Sequence, residues 1–280
     1  MYKISANIVC KNERYWIKES ILSIVHLVDE VIFIDDNSID GSLEIVKELS
    51  IKYPKIKIHE SSSHKQKKLC DLKNYAMLMS KNEMILRWDA DFIAYNYIYE
   101  ILKFSLKNNY DAYVFKAPNL HGDIFHYLKN KEYFGPEVCL YKKSKMRFEQ
   151  TERYNDYPVF DKDTKYCYPQ NTILNKDYFF IHMNKLKSIE KLAYRKRMTE
   201  YQMTSKNNET YWEWLGKKHN ISHDQIKKSE LKKVKETYYN LCKFDFNKWG
   251  KHPDILLNSD SINLFKVIVE NGKYKIKAPN

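Results

Sequence analysis

The chain has 280 residues, of which 43% are hydrophobic and 30% charged, a composition typical of a globular protein with a full core. It contains only 6 glycines, and the two closest, Gly122 and Gly135, are thirteen positions apart. Neither the dinucleotide motif GxGxxG nor the phosphate-binding motif GxxxxGK[ST] can therefore occur. The formal net charge of +12 favours an anionic partner, and residues 186–280, with 20 basic against 11 acidic residues, carry most of it.

The cysteines and apolar runs bear on where the protein resides. The 5 cysteines are widely spaced and form no CxxC pair, so the sequence predicts neither a disulfide framework nor a thiolate zinc site. The longest apolar stretch, residues 21–34, is interrupted by His26, Asp29 and Glu30, and no signal-peptide core is visible. We therefore expect a cytoplasmic protein, with peripheral contact at the inner face of a membrane through its basic C-terminal region.

The first hundred residues alternate short apolar runs with segments of helical period, which is typical of βαβ units and a mainly parallel sheet. The predicted strands are residues 4–10, 31–34, 55–59 and 84–88, and the predicted helices are residues 13–27, 42–52 and 69–80. Asp40 and Ser42 are expected to cap the second of these helices.

The rest of the chain has a weaker pattern. Strands are predicted at residues 113–115 and 138–141, and basic helices at 188–205 and 225–241. Alternating residues around Asn271-Gly272 predict a hairpin over residues 265–277. We therefore predict an α/β domain over residues 1–185 and a basic, mainly helical region over 186–280 that ends in this hairpin.

Four carboxylates follow two of the predicted parallel strands: Asp35 and Asp36 after one, Asp89 and Asp91 after another. In a parallel sheet the ligand crevice lies beyond the carboxyl ends of the strands, so these side chains are expected to converge. Such a cluster needs a divalent cation, a basic side chain or a ligand donor. Asp89 and Asp91 are two positions apart, which in extended backbone directs both carboxylates to one side and suits Mg²⁺ or Mn²⁺.

Three stretches resemble the nucleotide-diphosphosugar transferases of the GT-A fold, specifically glycosyltransferase family 2. They are residues 6–13, residues 28–42, and Asn74-Tyr75-Ala76 followed by residues 85–91. The resemblance implies a mixed, mainly parallel sheet flanked by helices. It also implies that the nucleotide donor is held by the loop after the first strand, by Asp36 and by the DAD segment, which gives Cys10, Asn12, Glu13, Asp36 and Asp89 as candidates. Lys73, on the predicted helix that precedes the DAD segment, is a candidate to add positive charge, with a solvated lysine as the alternative.

The same resemblance implies a metal and a base. Asp91, helped by Asp89, would bind Mn²⁺ or Mg²⁺ on the donor diphosphate, and His182 is a third candidate ligand, with a buried core histidine as the alternative. If the reaction inverts the anomeric centre, a carboxylate must take the proton of the acceptor hydroxyl. Glu152 is the preferred candidate and Asp156 the second, and a solvated loop carboxylate is the alternative for each.

The sequence therefore predicts a metal-dependent glycosyltransferase, inverting, that moves a sugar from a nucleotide-diphosphate donor to a glycan or lipid-linked acceptor in bacterial surface polysaccharide synthesis. A sugar-phosphate nucleotidyltransferase is one alternative, but it would need a glycine-rich loop after the first strand, and residues 10–13 contain no glycine. A non-enzymatic nucleic-acid-binding protein is the other. It would explain the charge, although no nucleic-acid-binding motif is visible.

Overall fold

A computed structural model describes residues 3–61, 68–131, 133–152, 154–168, 179–195, 197, 200–201, 204–205, 209–236, 241–270 and 273–279. The chain divides into two compact units. The first unit comprises residues 1–119, 133–183 and 245–259, and the second comprises residues 120–132, 184–244 and 260–280. Both units are discontinuous in sequence, whereas the sequence predicted one boundary after residue 185.

The secondary structure elements are numbered in chain order. The strands are β1 (Ile4–Cys10), β2 (Glu30–Asp35), β3 (Ile56–Glu60), β4 (Met84–Arg87), β5 (Phe92–Ala94), β6 (Ala112–His121), β7 (His126–Leu128), β8 (Tyr133–Lys142), β9 (Met146–Glu149), β10 (Tyr157–Phe160), β11 (Tyr166–Cys167), β12 (Phe180–Lys185), β13 (Leu241–Lys243), β14 (Lys266–Glu270) and β15 (Lys273–Lys277). The helices are α1 (Ile17–Ile24), α2 (Ser42–Lys52), α3 (Leu69–Met79), α4 (Ile98–Lys107), α5 (Ile189–Arg195), α6 (Tyr211–His219), α7 (His223–Glu236), α8 (Phe246–Trp249) and α9 (Asp254–Leu257).

The sheet of the first unit has the strand order β6-β8-β4-β1-β2-β3. β1, β2, β3 and β4 are mutually parallel, while β8 is antiparallel to both β4 and β6. Every residue of β2 and β4 is buried, as expected for parallel strands covered by helices on both faces. The predicted mixed, mainly parallel sheet flanked by helices is confirmed.

Helices cover both faces of this sheet. α1 directs Ile17, Ile21 and Ile24 into the main core, and α3 packs on other sheet residues through Leu72 and Ala76. α2 has the predicted bounds, but the predicted capping is wrong: the N-cap residue is Gly41, without a side-chain capping bond, and Ser42 is the first helical residue. Asp40 Oδ1 accepts a hydrogen bond from the Ser42 backbone N–H at 3.0 Å just before the helix. α1 is shorter than the predicted helix over 13–27 because the chain turns before residue 17 and after residue 24.

The second unit has a small aromatic core, formed by Tyr201, Tyr211, Trp214, Leu215 and Ile226. α6 begins with a capping box in which the Thr210 side chain and the Glu213 side chain each bond the other's backbone N–H. β14 and β15 form the predicted antiparallel hairpin, although Asn271 and Gly272 lie outside the described residues. Among the helices that the structure describes, none has the length and apolarity required to cross a membrane.

Candidate active site

The carboxyl ends of β1, β2 and β4 lie side by side at one edge of the sheet. Cys10 is paired with Asp35 across β1 and β2, and Asn7 is paired with Arg87 across β1 and β4. Trp88 continues this alignment past the end of β4, since its backbone N–H donates to the Asn7 carbonyl at 3.0 Å. The segments that carry the predicted site residues therefore converge at the edge where α/β sheets bind ligands.

The loop after β1 is joined to the loop after β2. The contacts are an ion pair between Lys11 Nζ and Asp36 Oδ2 at 3.0 Å, and hydrogen bonds from Asn12 N to Ser38 Oγ at 3.0 Å, from Glu13 N to Ser42 Oγ at 2.8 Å and from Ile39 N to Asn12 Oδ1 at 2.8 Å. Asn12 has a φ of 56°, a left-handed conformation that asparagine tolerates better than most residues. The two loops thus form one preorganised wall that contains Asn12, Glu13 and Asp36.

Cys10 and Asp35 behave differently from their neighbours in this wall. The Cys10 side chain is buried in the main core, so only its backbone is available at the site edge. Asp35 is also buried, and its Oδ2 accepts from the Ser38 N–H at 2.9 Å, but none of the described residues donates to its Oδ1. A buried acceptor without a partner is costly, which makes Asp35 Oδ1 a candidate contact for a ligand N–H or O–H.

Asp89 lies among positive charges. Its Oδ2 is 3.1 Å from Arg87 Nη2, its Oδ1 is 3.4 Å from Arg87 Nε, and Oδ1 is also 3.6 Å from Lys73 Nζ. Burial by itself raises the pKa of Asp89, but Arg87 and Lys73 outweigh burial and hold this pKa well below its usual range. Arg87 also contacts Glu137 Oε2, at 2.8 Å from Nη1, and is itself buried.

Lys73 connects Asp89 to the loop that carries the candidate bases. Its ammonium group is paired with Asp156 Oδ2 and lies 5.2 Å above the Phe148 ring. Asp156 is half-buried in this pair, whereas Glu152 is exposed. The loop is held against α3 by further hydrogen bonds: Cys70 N to Asn155 O at 3.0 Å, Asn74 Nδ2 to Phe148 O at 2.8 Å and Phe148 N to Asn74 Oδ1 at 2.8 Å. Lys73 and Asp156 are therefore brought together at the site.

Asp91 and His182 form a separate pair. His182 Nε2 lies 3.3 Å from Asp91 Oδ2, and both side chains are buried. The pairing of β5 with β12 positions them, with Met183 N donating to Asp91 O at 2.9 Å. Two ligands in neighbouring positions of an octahedral ion lie about 3 Å apart, so this oxygen and this nitrogen have a separation suited to one divalent cation.

The three predicted metal ligands are not gathered into one set. Asp89 turns to Arg87 and Lys73, because these cations supply the charge compensation that a partly buried carboxylate needs. In the part of the chain that the structure describes, no group of three or more His, Cys, Asp or Glu side chains is placed to hold a metal ion. Asp91 and His182 can supply two ligands, and substrate phosphates and water commonly complete such a shell.

Sequence reasoning assigned no role to Arg87 or Glu137. Arg87 has a visible signal, a charged residue within an otherwise apolar strand, two positions before Asp89. Glu137 has none, since it reaches the site only through the pairing of β8 with β4. A pocket beside this network is lined by Asn7, Val9, Lys73, Ala76, Arg87, Asp89, Tyr141 and Phe148.

The motif stretches coincide with a match to a known family. The sequence profile described as Glycosyl transferase family 2 matches residues 5–180, more than half of the chain. The chain belongs to this family. It is therefore a glycosyltransferase by family, and no curated protein matches it.

Solved structures with a similar course of the chain are found as well, each at low sequence identity. TarS from S. aureus is 16% identical, with 74% of this chain and 40% of that chain covered and a TM-score of 0.45. TarS 1-349 in complex with UDP-GlcNAc is 14% identical, with 84% and 80% covered and a TM-score of 0.47. The mannosyltransferase PcManGT from Pyrobaculum calidifontis, in complex with GDP-Man and Mn²⁺, is 17% identical, with 51% and 46% covered and a TM-score of 0.38. The chain spans 40% of the length of the first of these proteins.

Proposed function

We propose that this protein transfers a sugar, with inversion, from a nucleotide-diphosphate donor to a glycan or lipid-linked acceptor in bacterial surface polysaccharide synthesis. The observation that carries the proposal is the arrangement of the DAD segment at the β1-β2-β4 edge. Its first aspartate, Asp89, is paired with Arg87 and Lys73, and its second, Asp91, is paired with His182. This arrangement combines ligands for a divalent ion with cations and acceptors for a charged donor.

The joined loops after β1 and β2 provide the nucleotide side of the donor site. Asn12, Glu13 and Asp36 lie in this wall, and Asp35 Oδ1 offers a buried acceptor that receives no hydrogen bond within the part of the chain the structure describes. A nucleobase N–H or a ribose hydroxyl can satisfy such an acceptor, and the resulting bond would be charge-assisted. Discrimination of the donor nucleotide is therefore assigned to this edge.

Asp91 and His182 would hold Mn²⁺ or Mg²⁺. When bound, this ion neutralises the charge that develops on the diphosphate leaving group as the glycosidic bond breaks. The chain supplies positive charge of its own through Lys73, which is buried and fixed between Asp89 and Asp156. The ion pairs hold Lys73 in place, and its ammonium would share one of these carboxylate contacts with a phosphate oxygen of the donor.

The proton of the acceptor hydroxyl goes to Glu152 or Asp156. Glu152 is exposed and has the access to solvent and acceptor that a base needs. Asp156 is closer to the cluster, but its Oδ2 is bound to Lys73 and must be shared or released for proton transfer. The two residues lie in one loop held against α3, so either would face the donor from the same element.

A donor screen tests the proposal. Thermal stability and donor hydrolysis are measured with UDP-, GDP-, dTDP- and CMP-linked sugars, each with Mn²⁺, with Mg²⁺ and with EDTA. We expect at least one nucleoside-diphosphate sugar to raise the melting temperature in the presence of metal and to be hydrolysed or transferred, with loss of the effect in EDTA. Absence of stabilisation by every donor would overturn the proposal, and an effect indifferent to EDTA would remove its metal.

A further inference from the structure

Arg87 is an unusual residue for its position. The other residues of β4 are Met84, Ile85 and Leu86, and all are buried in the sheet. The guanidinium group is buried too, yet all its described contacts are with two carboxylates, Asp89 on one side and Glu137 on the other. If the position served packing alone, an apolar residue of similar size would commonly stabilise the fold as well or better.

The backbone of β8 places Glu137 to receive this guanidinium. The pairing of β6 with β8 shifts register between Phe115 and Ala117, opposite the segment that contains Gly135. Gly135 has a φ of 98°, and a Cβ there would lie 2.9 Å from both the Glu137 N and the Phe115 O. Glycine is therefore required for this irregularity, which redirects the strand immediately before Glu137.

We propose that Arg87, anchored by Glu137, is a positioning residue that fixes the Asp89 carboxylate so that it accepts a hydrogen bond from a hydroxyl of the nucleotide-sugar donor. The inference rests on the proposed function, because it assumes a donor at this edge. Two guanidinium N–H groups face the Asp89 oxygens, while 28% of the Asp89 side chain stays exposed. One face of the carboxylate is thus held by Arg87 and another is open to ligand.

Lys73 cannot take over this role. Its ammonium lies farther from Asp89, at 3.6 Å, and it is shared with Asp156. An ammonium is also a point charge that attracts a carboxylate without defining its plane, whereas the planar guanidinium fork sets both distance and orientation. Loss of Arg87 should therefore leave Asp89 attracted but not oriented.

The test compares R87M, R87K, E137Q, D89N and the double variant R87M/D89N in the full chain. The donor is the nucleotide sugar found active in the screen, and the measurements are its dissociation constant, its KM, kcat and the thermal stability. K142M is the matched control, because Lys142 lies on the same strand as Glu137 and its removal breaks another ion pair of the first unit, with Asp111 at 2.7 Å.

We expect R87M to raise the donor dissociation constant and KM at least about tenfold, with a much smaller change in kcat. Relative to R87M, R87K should restore thermal stability more than it restores donor affinity. E137Q should weaken donor binding as R87M does, but to a smaller extent. R87M/D89N should bind donor no more weakly than D89N, since Arg87 acts through Asp89. K142M should lower stability without changing donor KM.

Two results would overturn the inference. One is R87M with reduced stability and unchanged donor affinity, which would make Arg87 structural only. The other is a double variant that binds donor much more weakly than D89N, which would show that Arg87 acts independently of Asp89. Failure of the proposed function gives a different result, because the wild-type protein would then bind none of the nucleotide sugars.

Discussion

The sheet edge of the first unit that carries the candidate site contains partly buried charged side chains, whereas the core of the second unit is formed by aromatic and aliphatic side chains. At the edge, Arg87, Asp89 and Lys73 place several charges in or near the interior, where each depends on the others for compensation. In the second unit, Tyr211 and Trp214 pack by contact between rings, while charged pairs such as Lys275–Glu270 lie at the surface. Exposed pairs contribute little to stability, so the second unit depends on apolar packing.

This difference teaches how to separate function from folding in the two units. Ionised groups held in low dielectric are costly unless they are paired, and such arrangements are concentrated at functional sites. Substitutions at the edge should therefore change catalysis more than stability when charge compensation is preserved. Substitutions in the aromatic core should do the reverse, and the following predictions test each half of that statement.

The largest effect is expected at Asp91. Asp91→Asn keeps the size of the side chain but removes the anionic oxygen that would bind the divalent ion beside His182. We expect kcat to fall by about 100-fold or more, since a bound ion contributes several kcal/mol of transition-state stabilisation. The measurement is donor turnover against Mn²⁺ concentration.

Asp111→Asn is the control for Asp91→Asn. Asp111 is a buried aspartate of the same unit that is paired with Lys142 rather than with a histidine. This variant should lose stability and retain turnover. An unchanged kcat for Asp91→Asn in a folded protein would contradict the assignment of the ion to this residue.

The second largest effect is expected in the loop held against α3. Neutralising the acceptor base should lower kcat by about 100-fold and leave nucleotide affinity unchanged, because the base acts on the acceptor hydroxyl. Glu152→Gln and Asp156→Asn are compared by transfer rates and by binding of the nucleoside diphosphate. If neither variant changes transfer, the base lies elsewhere or the reaction proceeds with retention.

Contacts between residues that are distant in sequence could not be predicted from the sequence. Lys73 and Asp156 were both singled out, but they are 83 positions apart, and nothing local indicates that they form an ion pair. Glu137 is 50 positions from Arg87, and it reaches that residue through the irregular β8. Contacts of this kind depend on strand order and register, which local patterns do not encode.

The βαβ region was predictable for a physical reason. Strands such as β2 are buried on both faces and read as continuous apolar runs, while α2 has a helical period and the predicted bounds. Within the predicted helix over 188–205, α5 covers Ile189–Arg195 and residues 200, 201 and 204 are also helical, while residues 196, 198, 199, 202 and 203 lie outside the described residues. The location of the candidate site could be predicted from the ends of the strands, whereas the ion pairs within the site could not.

The aromatic core of the second unit should respond in stability rather than in donor binding. Leu215→Ala removes a fully buried side chain and should lower the free energy of unfolding by about 2–5 kcal/mol. Donor binding to the folded protein should be unchanged, since all the proposed donor contacts lie in the first unit. Denaturant unfolding and donor titration check this, with Leu264→Ala, an exposed leucine of the second unit, as the control.

A smaller effect concerns acid stability. Burial would raise the pKa of Glu30, but hydrogen bonds from Lys57, Ser5 and the Lys81 N–H outweigh it, so this pKa is lowered. The stabilisation by Glu30 is therefore present above its unfolded value near 4.5 and is lost as pH falls through the lower folded value. Glu30→Gln should make stability less dependent on pH as pH falls below the unfolded value near 4.5, measured by urea unfolding. A variant with the wild-type pH slope would contradict the linkage.

The smallest effect per residue is expected at the basic face of α7. Lys232 and Lys233 are exposed there; Lys233 is paired with Glu230 at 2.7 Å, and Lys227 is paired with Glu190 at 2.8 Å. We propose that this face contacts an anionic membrane surface, where each nearby basic residue contributes about 1 kcal/mol. Charge reversal at Lys232, Lys233 and Lys235 should abolish sedimentation with vesicles that contain anionic lipid.

The control reverses Lys47, Lys103 and Lys162, three exposed lysines of the first unit, with the same change in net charge. If both triple variants lose binding equally, net charge alone is responsible, and if the wild-type protein does not bind at low salt, the acceptor reaches the enzyme without a membrane contact.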